Sequence, residues 1–205
     1  MDVFVSDFGT INQAYKNELT ALEIPFEEGQ HTEEKILSAS TIIKSPGIAD
    51  KVPIVQKIKE KNIPIISEIE FAYQFSKAKI IAITGTNGKT TTTSLTYHIL
   101  EKAGLNVGLG GNIGTSFARQ VATGDKEYFV LELSSFQLDN CITFKPHIAI
   151  LCNITEDHLD RYNYQFENYI QSKFSISKNQ TEQDYFIYCA DDEVSIQYLH
   201  KANPK

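Results

Sequence analysis

Residues 79–102 read KIIAITGTNGKTTTTSLTYHILEK. The segment opens with an apolar run, KIIAITG at 79–85, of the kind carried by a strand buried on both faces. It turns through Gly85 and Gly88, then continues from about Lys89 to Lys102 as a helix. In that helix Leu95 and Ile99 lie one turn apart, with Ala103 one turn further on, which reads as an apolar face. Strand, glycine-rich turn and helix form the setting of a phosphate loop. Gly85 and Gly88 suit positive φ and close approach of the backbone to a phosphate. The N–H groups and dipole at the start of the helix favour an anion. The candidate cofactor-binding residues are therefore Gly85, Thr86, Asn87, Gly88, Lys89, Thr90 and Thr91. Lys89 would reach the β/γ oxygens of ATP, and Thr90 would ligate Mg²⁺. The generic spacing wants a glycine where Ile83 stands, so that motif is half met, and a plain strand-to-helix turn stays open as an alternative.

Working outward, strands and helices alternate along the whole chain. Strands are expected at 2–7, 41–47, 63–67, 106–110, 128–134, 147–154 and 184–189. Helices are expected over 11–22, over 50–62 and, briefly, around Glu68–Phe75. Apolar strands separated by helices predict an α/β fold with a mostly parallel sheet covered on both faces. The pattern restarts near Ser76–Ala78, which suggests a Rossmann-like domain over 1–76 and an ATP-binding domain over 77–205. The chain has 205 residues, of which 41% are hydrophobic, enough for a packed core. Its net charge of −7 argues against a nucleic-acid partner. No apolar run is long enough to span a bilayer and no signal peptide opens the chain, so a cytoplasmic protein is expected. Cys141, Cys152 and Cys189 show no metal-binding spacing and read as reduced, mostly packed thiols.

Several segments carry more chemistry. Glu132 ends the apolar strand YFVLE and could hold a metal at the mouth of the sheet, or could be a solvated strand-end acid. His158 lies among Glu156, Asp157 and Asp160 in NITEDHLDR (153–161). Lys173 flanks the stripe Phe166, Ile170, Phe174, one turn from Tyr169, where a lysine would ordinarily snorkel to solvent.

ITGTNGKTTT (83–92) resembles the ATP loop of the Mur ligase family, which has this shorter glycine spacing. A folylpolyglutamate synthase, of the same fold, could carry the same loop. YFVLELSSFQLD (128–139) is similar to the corresponding strand of the family's D-glutamate-adding branch, with Ser135 and Gln137 in the distinguishing Ser-Phe-Gln. The resemblance implies that Thr90 and Glu132 hold one Mg²⁺ ion. It implies that His158 contacts substrate and ligates a second Mg²⁺ together with Lys173, carbamylated by CO₂. Lys89, His158 and Lys173 would be the catalytic residues. Asn112, in GLGGNIGTSF (108–117), would meet the muramoyl or pyrophosphate part of the substrate, and Ser135 and Gln137 would also bind substrate. IIKSPGI (42–48) is similar to the uridine-side loop, which gives Ser45, Pro46 and Gly47 to the substrate. VSD (5–7) would bring Asp7 to the uridine, and SEIEF (67–71) resembles the link into the ATP domain. The implied substrates are UDP-N-acetylmuramoyl-L-alanine and D-glutamate, joined at the expense of ATP by a monomeric enzyme. The opening strand with its GxGxSG turn, the rest of the ATP domain and a third domain are expected but lie outside these 205 residues, so this stretch alone should show negligible ligation. Another carboxylate–amine ligase of this fold, or a nucleotide-binding module without turnover, are the alternatives.

Overall fold

Val5–Asp7 form the first strand, β1, in the structure, a computed structural model that describes residues 2–203. β1 pairs in parallel with β2 (Phe26–Glu28), Val5 opposite Phe26. Helix α1 (Gln13–Ala21) connects them, and the Asn12 side chain caps it by accepting from Ala14 N. β2 escapes the sequence expectations because Phe-Glu-Glu has no apolar run. It is held instead by polar contacts, with Glu27 accepting from Ser6 Oγ and from Thr32 N, both at 2.7 Å. The short helix α2 (Glu33–Ile36) was equally without a periodic signal. The strands expected over 41–47 and 63–67 shrink to the two-residue pair β3 (Ile42–Ile43) and β4 (Ile65–Ile66). Between them runs α3 (Pro53–Glu60), with proline in its first turn where no donor is lost. Ile36, Ile54, Val55 and Ile58 form a small core, with Ile42, Ile48, Ile63 and Ile65 packed on it.

The second half is built on five parallel strands: β5 (Lys79–Thr84), β6 (Val107–Gly111), β7 (Tyr128–Glu132), β8 (Ile148–Leu151) and β9 (Tyr185–Tyr188). Their order in space is β6-β7-β5-β8-β9. β5 is buried at every residue after Lys79, as expected of a central strand between two layers. On one face Ile81, Ile83 and Val130 pack beneath Tyr97 and Leu100 of helix α5 (Lys89–Lys102). On the other face Ile80, Ala82, Phe129, Leu131 and Ala149 meet Ile69, Ala72 and Phe117. Those last three come from α4 (Glu68–Tyr73) and α6 (Phe117–Thr123). The expected stripe on α5 is corrected: Leu95 and Ile99 are 56% and 58% exposed. The helix seats Thr93 and the flanks of Tyr97 and Leu100 on the sheet and turns Leu95 and Ile99 away.

Past β7 come α7 (Ser135–Leu138) and, after β8, α8 (Phe166–Phe174), whose Tyr169, Ile170 and Phe174 enter a second core with Leu151, Ile154 and Tyr162. The chain divides into two compact units, Met1–Ile42 with Ile48–Ile65 and Ile43–Gly47 with Ile66–Lys205. α4 thus folds with the second unit, although the apolar pattern restarts only after Ser76–Ala78. Glu70 of α4 anchors it there by accepting from Ile142 N, Thr143 N and Phe144 N at 2.8–2.9 Å and from Thr143 Oγ1 at 2.6 Å.

Candidate active site

The chain leaves β5 toward β6 on one side and later crosses to β8 on the other. The carboxyl ends of β5, β7 and β8 therefore surround the point where the strand order reverses, the usual crevice for a ligand in such a sheet. Gly85 follows β5 with φ 152°, and a Cβ there would lie 2.8 Å from that of Cys152, so only glycine fits. Gly88 caps α5 at φ 79° with open space around it. Thr92 N donates to Gly88 O, which leaves the N–H groups at the head of this 14-residue helix without intrahelical partners. The loop is tethered to the end of β8. Thr86 N donates to Asn153 O, and Asn87 N to Asn153 Oδ1, both at 2.9 Å. Asn153 Nδ2 returns a bond to Asn87 O at 3.1 Å, and Thr155 N donates to Thr86 Oγ1 at 3.0 Å. Lys89 folds back over its own loop, donating to Gly85 O at 2.9 Å and Thr86 O at 2.8 Å.

Glu132 ends β7 beside the loop. It is 2% exposed, which rules out the solvated-acid reading. Thr90 Oγ1 donates to its Oε2 at 2.7 Å, and Asn112 Nδ2 to its Oε1 at 2.8 Å. No lysine, arginine or histidine pairs with it among the described residues. Close approach of β6 brings Asn112 there: Asn112 N donates to Glu132 O at 2.8 Å, next to Gly111 at φ 93°.

Lys173 projects from α8 to the same loop. It is 2% exposed, so the snorkelling expectation fails. Its Nζ donates to Gly85 O at 2.8 Å and lies 4.5 Å from the centroid of the Tyr169 ring. Gly85 O thus accepts from both lysines. Burial, and secondarily the charge of Lys89, push the Lys173 pKa down to about 7. Tyr169, whose hydroxyl meets Thr86 Oγ1 at 3.2 Å, joins Asn153 and Thr155 as loop-holding residues that sequence reasoning missed. Only the four-residue offset of Tyr169 from Lys173 could have signalled one of them.

His158 is exposed, sits at φ 51° and packs its ring 5.2 Å from that of Phe136. Asp157 Oδ2 is 3.5 Å from its Nε2. No group of three His, Cys, Asp or Glu side chains among the described residues could hold a metal as they stand. Gln137 and Ser135 are both buried. Gln137 Oε1 is engaged in a capping box with Ser134, and Ser135 O accepts from Ser172 Oγ at 3.1 Å. The structure therefore ties both to the α7 scaffold. Ser45 and Gly47 are exposed on the turn after β3, and Lys44 N holds that turn to Ile66 O at 3.0 Å. Asp7, in the first unit, is exposed at the end of β1 and accepts from Gly9 N at 2.7 Å. The expectation of mostly packed thiols holds for Cys141 but not for Cys189, which is exposed, while Cys152 is half-buried.

The Mur ligase middle domain matches residues 83–205, and the MurD N-terminal domain matches residues 1–53. The UDP-N-acetylmuramoylalanine–D-glutamate ligase of Christiangramia forsetii is 58% identical over 203 residues, which cover 99% of this chain and 45% of that protein. The chain thus spans under half the length of this curated relative. Among solved structures, the UDP-N-acetylmuramate:L-alanyl-γ-D-glutamyl-meso-diaminopimelate ligase of Neisseria superposes with TM-score 0.65 at 20% identity, over 97% of this chain and 67% of that one. A Thermotoga maritima MurF ligase in complex with ADP gives TM-score 0.55 at 20% identity, over 98% and 45%. The solved structures share the fold, and the family model over residues 83–205 places the chain in the Mur ligase family, with its glycine-rich loop at the switch point of the sheet.

Proposed function

We propose that the complete protein adds D-glutamate to UDP-N-acetylmuramoyl-L-alanine in the cytoplasm, using ATP to activate the L-alanyl carboxylate as an acyl phosphate. The observation that carries this reading is the convergence of Lys89 and Lys173 on Gly85 O beside the buried Glu132–Thr90 pair. The head of α5 offers N–H groups to the ATP phosphates, and Lys89 would exchange its carbonyl bonds for phosphoryl oxygens. Glu132 and Thr90 present oxygen donors around a buried carboxylate that has no cationic partner among the described residues, a set that suits Mg²⁺. An ion held there would offset charge on the phosphoryl group during transfer.

A second ion has less ready support, because the residues near His158 supply too few anionic oxygens as they stand. Lys173 answers that shortage if its amine adds CO₂: the ammonium first gives one proton to solvent, the neutral nitrogen forms a bond to the carbon of CO₂ as one C=O π bond opens to an oxyanion, and a second proton leaves nitrogen to solvent, so that a cation becomes an anionic, carboxylate-like ligand. Addition requires the neutral amine, and a pKa near 7 keeps about half of it neutral at neutral pH. Asn112 would orient the substrate at the Glu132 end of the crevice, while Ser45, Pro46, Gly47 and Asp7 would serve the uridine nucleotide. The amine of D-glutamate would then attack the acyl phosphate and release phosphate.

The test is ADP release by the full-length protein with each substrate omitted in turn, and with D-glutamate replaced by L-lysine, meso-diaminopimelate or L-alanine. Release that requires the uridine nucleotide and D-glutamate supports the assignment. Release with another acceptor, or with none, overturns it. Intact mass at mild pH under CO₂ should show one added CO₂, lost in Lys173→Ala.

A further inference from the structure

Arg161 follows His158 by three residues and closes the short turn Leu159–Arg161. Its guanidinium lies over the Phe136 ring, 4.3 Å from the centroid. The same ring is packed by His158 at 5.2 Å and by Tyr162, nearly parallel, at 5.9 Å. Beyond the ring, Arg161 Nη2 donates to Pro46 O at 3.2 Å and Nη1 more weakly to Gly47 O at 3.4 Å. Residues 43–47 and 161 belong to the same compact unit. One aromatic platform therefore carries both the His158 ring and the cation that grips the 45–47 turn. With its carbonyls engaged by Arg161, the turn keeps Ser45 and the Gly47 backbone exposed. A guanidinium suits this task because a planar fork can stack on a ring and still donate at its edge, whereas an ammonium is a point charge.

We propose that Arg161 is a positioning residue: it sets the 45–47 turn relative to the His158 segment and so governs affinity for the uridine nucleotide, while leaving the ATP end untouched. The inference rests on the proposed function for the identity of that substrate. In the full-length protein, Arg161→Met should raise KM for the uridine nucleotide about tenfold, the effect of losing a charge-assisted hydrogen bond. KM for ATP should stay within about twofold, because the contacts that carry this role run to the Phe136 ring and the carbonyls of Pro46 and Gly47. Arg161→Lys should restore only part of the loss, since it keeps the charge but not the fork. Phe136→Leu should act on the same constant, and the double variant should be no worse than the more severe single one. Equal rises in both KM values, full rescue by lysine, or additive losses would overturn the assignment. A readout independent of turnover is amide exchange: Gly47 and Ile48 should exchange at least about tenfold faster in Arg161→Met, with α5 unchanged. Unchanged exchange there sinks the role of Arg161. A wild-type protein that ignores the uridine nucleotide sinks the proposed function instead.

Discussion

Replacing Lys173 by methionine should stabilise the fold at neutral pH, by an amount that disappears as the pH rises. The folded state holds this amine at about 7 against an ordinary 10.5. The unfolded chain therefore binds more protons between those values, and stability climbs with pH across that window. Below about pH 7 both states are protonated and the full penalty of a buried ammonium is present. At 1.36 kcal/mol per pH unit, the penalty is about 4 kcal/mol at pH 7 and about 1 kcal/mol at pH 10. Methionine removes the charge at similar length but forfeits the bond to Gly85 O, about 1 kcal/mol. The net expectation is about 3 kcal/mol of stabilisation at pH 7, falling to about zero at pH 10. Urea unfolding of wild type and variant, followed by far-UV circular dichroism from pH 6 to 10 in CO₂-free buffer, measures it. A stability difference that is flat with pH, or that favours wild type at pH 7, would show that Lys173 is not held uncharged by burial.

Other outcomes follow from the same geometry. Glu70→Ala leaves the buried donor of Phe144 and the partly buried donors of Ile142 and Thr143 without their acceptor, and should cost about 2–4 kcal/mol in the same urea assay. Gly111→Ala should cost at least about 3 kcal/mol, since its Cβ would sit 2.2 Å from Glu132 O at φ 93°, whereas Gly88→Ala, with open space, should cost only about 1 kcal/mol of backbone strain. Cys189 should react with a thiol reagent at pH 8 in the native protein, while Cys141, buried and pushed up to about 12, should react only on unfolding. Mass mapping of the labelled cysteines decides that point.

What was legible in the sequence was what is local. The 79–102 segment announced its strand, its turn and its helix because apolar period and glycine placement are properties of neighbouring residues. The parallel sheet followed from strands too apolar to face water. Contacts made across long separations left no such trace. Asn153 and Tyr169 hold a loop 66 and 83 residues away, and Glu70 reaches a loop over 70 residues on. β2 stayed hidden because its central residue is a glutamate satisfied by Ser6 and Thr32. Leu95 and Ile99 misled for the opposite reason: helical spacing says that residues share a face, not which way that face points. For Lys173 the helical spacing alone allowed a snorkelling lysine, the family resemblance pointed to a site residue, and only the fold shows its amine buried against Gly85 O.

The most direct test of the account is to follow oxygen. UDP-N-acetylmuramoyl-L-alanine labelled with ¹⁸O in the L-alanyl carboxylate is given to the full-length protein with ATP and D-glutamate, and the released phosphate is analysed by mass spectrometry. If the loop around Lys89 directs ATP at that carboxylate, one ¹⁸O atom appears in each phosphate and none in ADP. Unlabelled phosphate, with ATP consumed and product formed, would contradict activation of the carboxylate through an acyl phosphate.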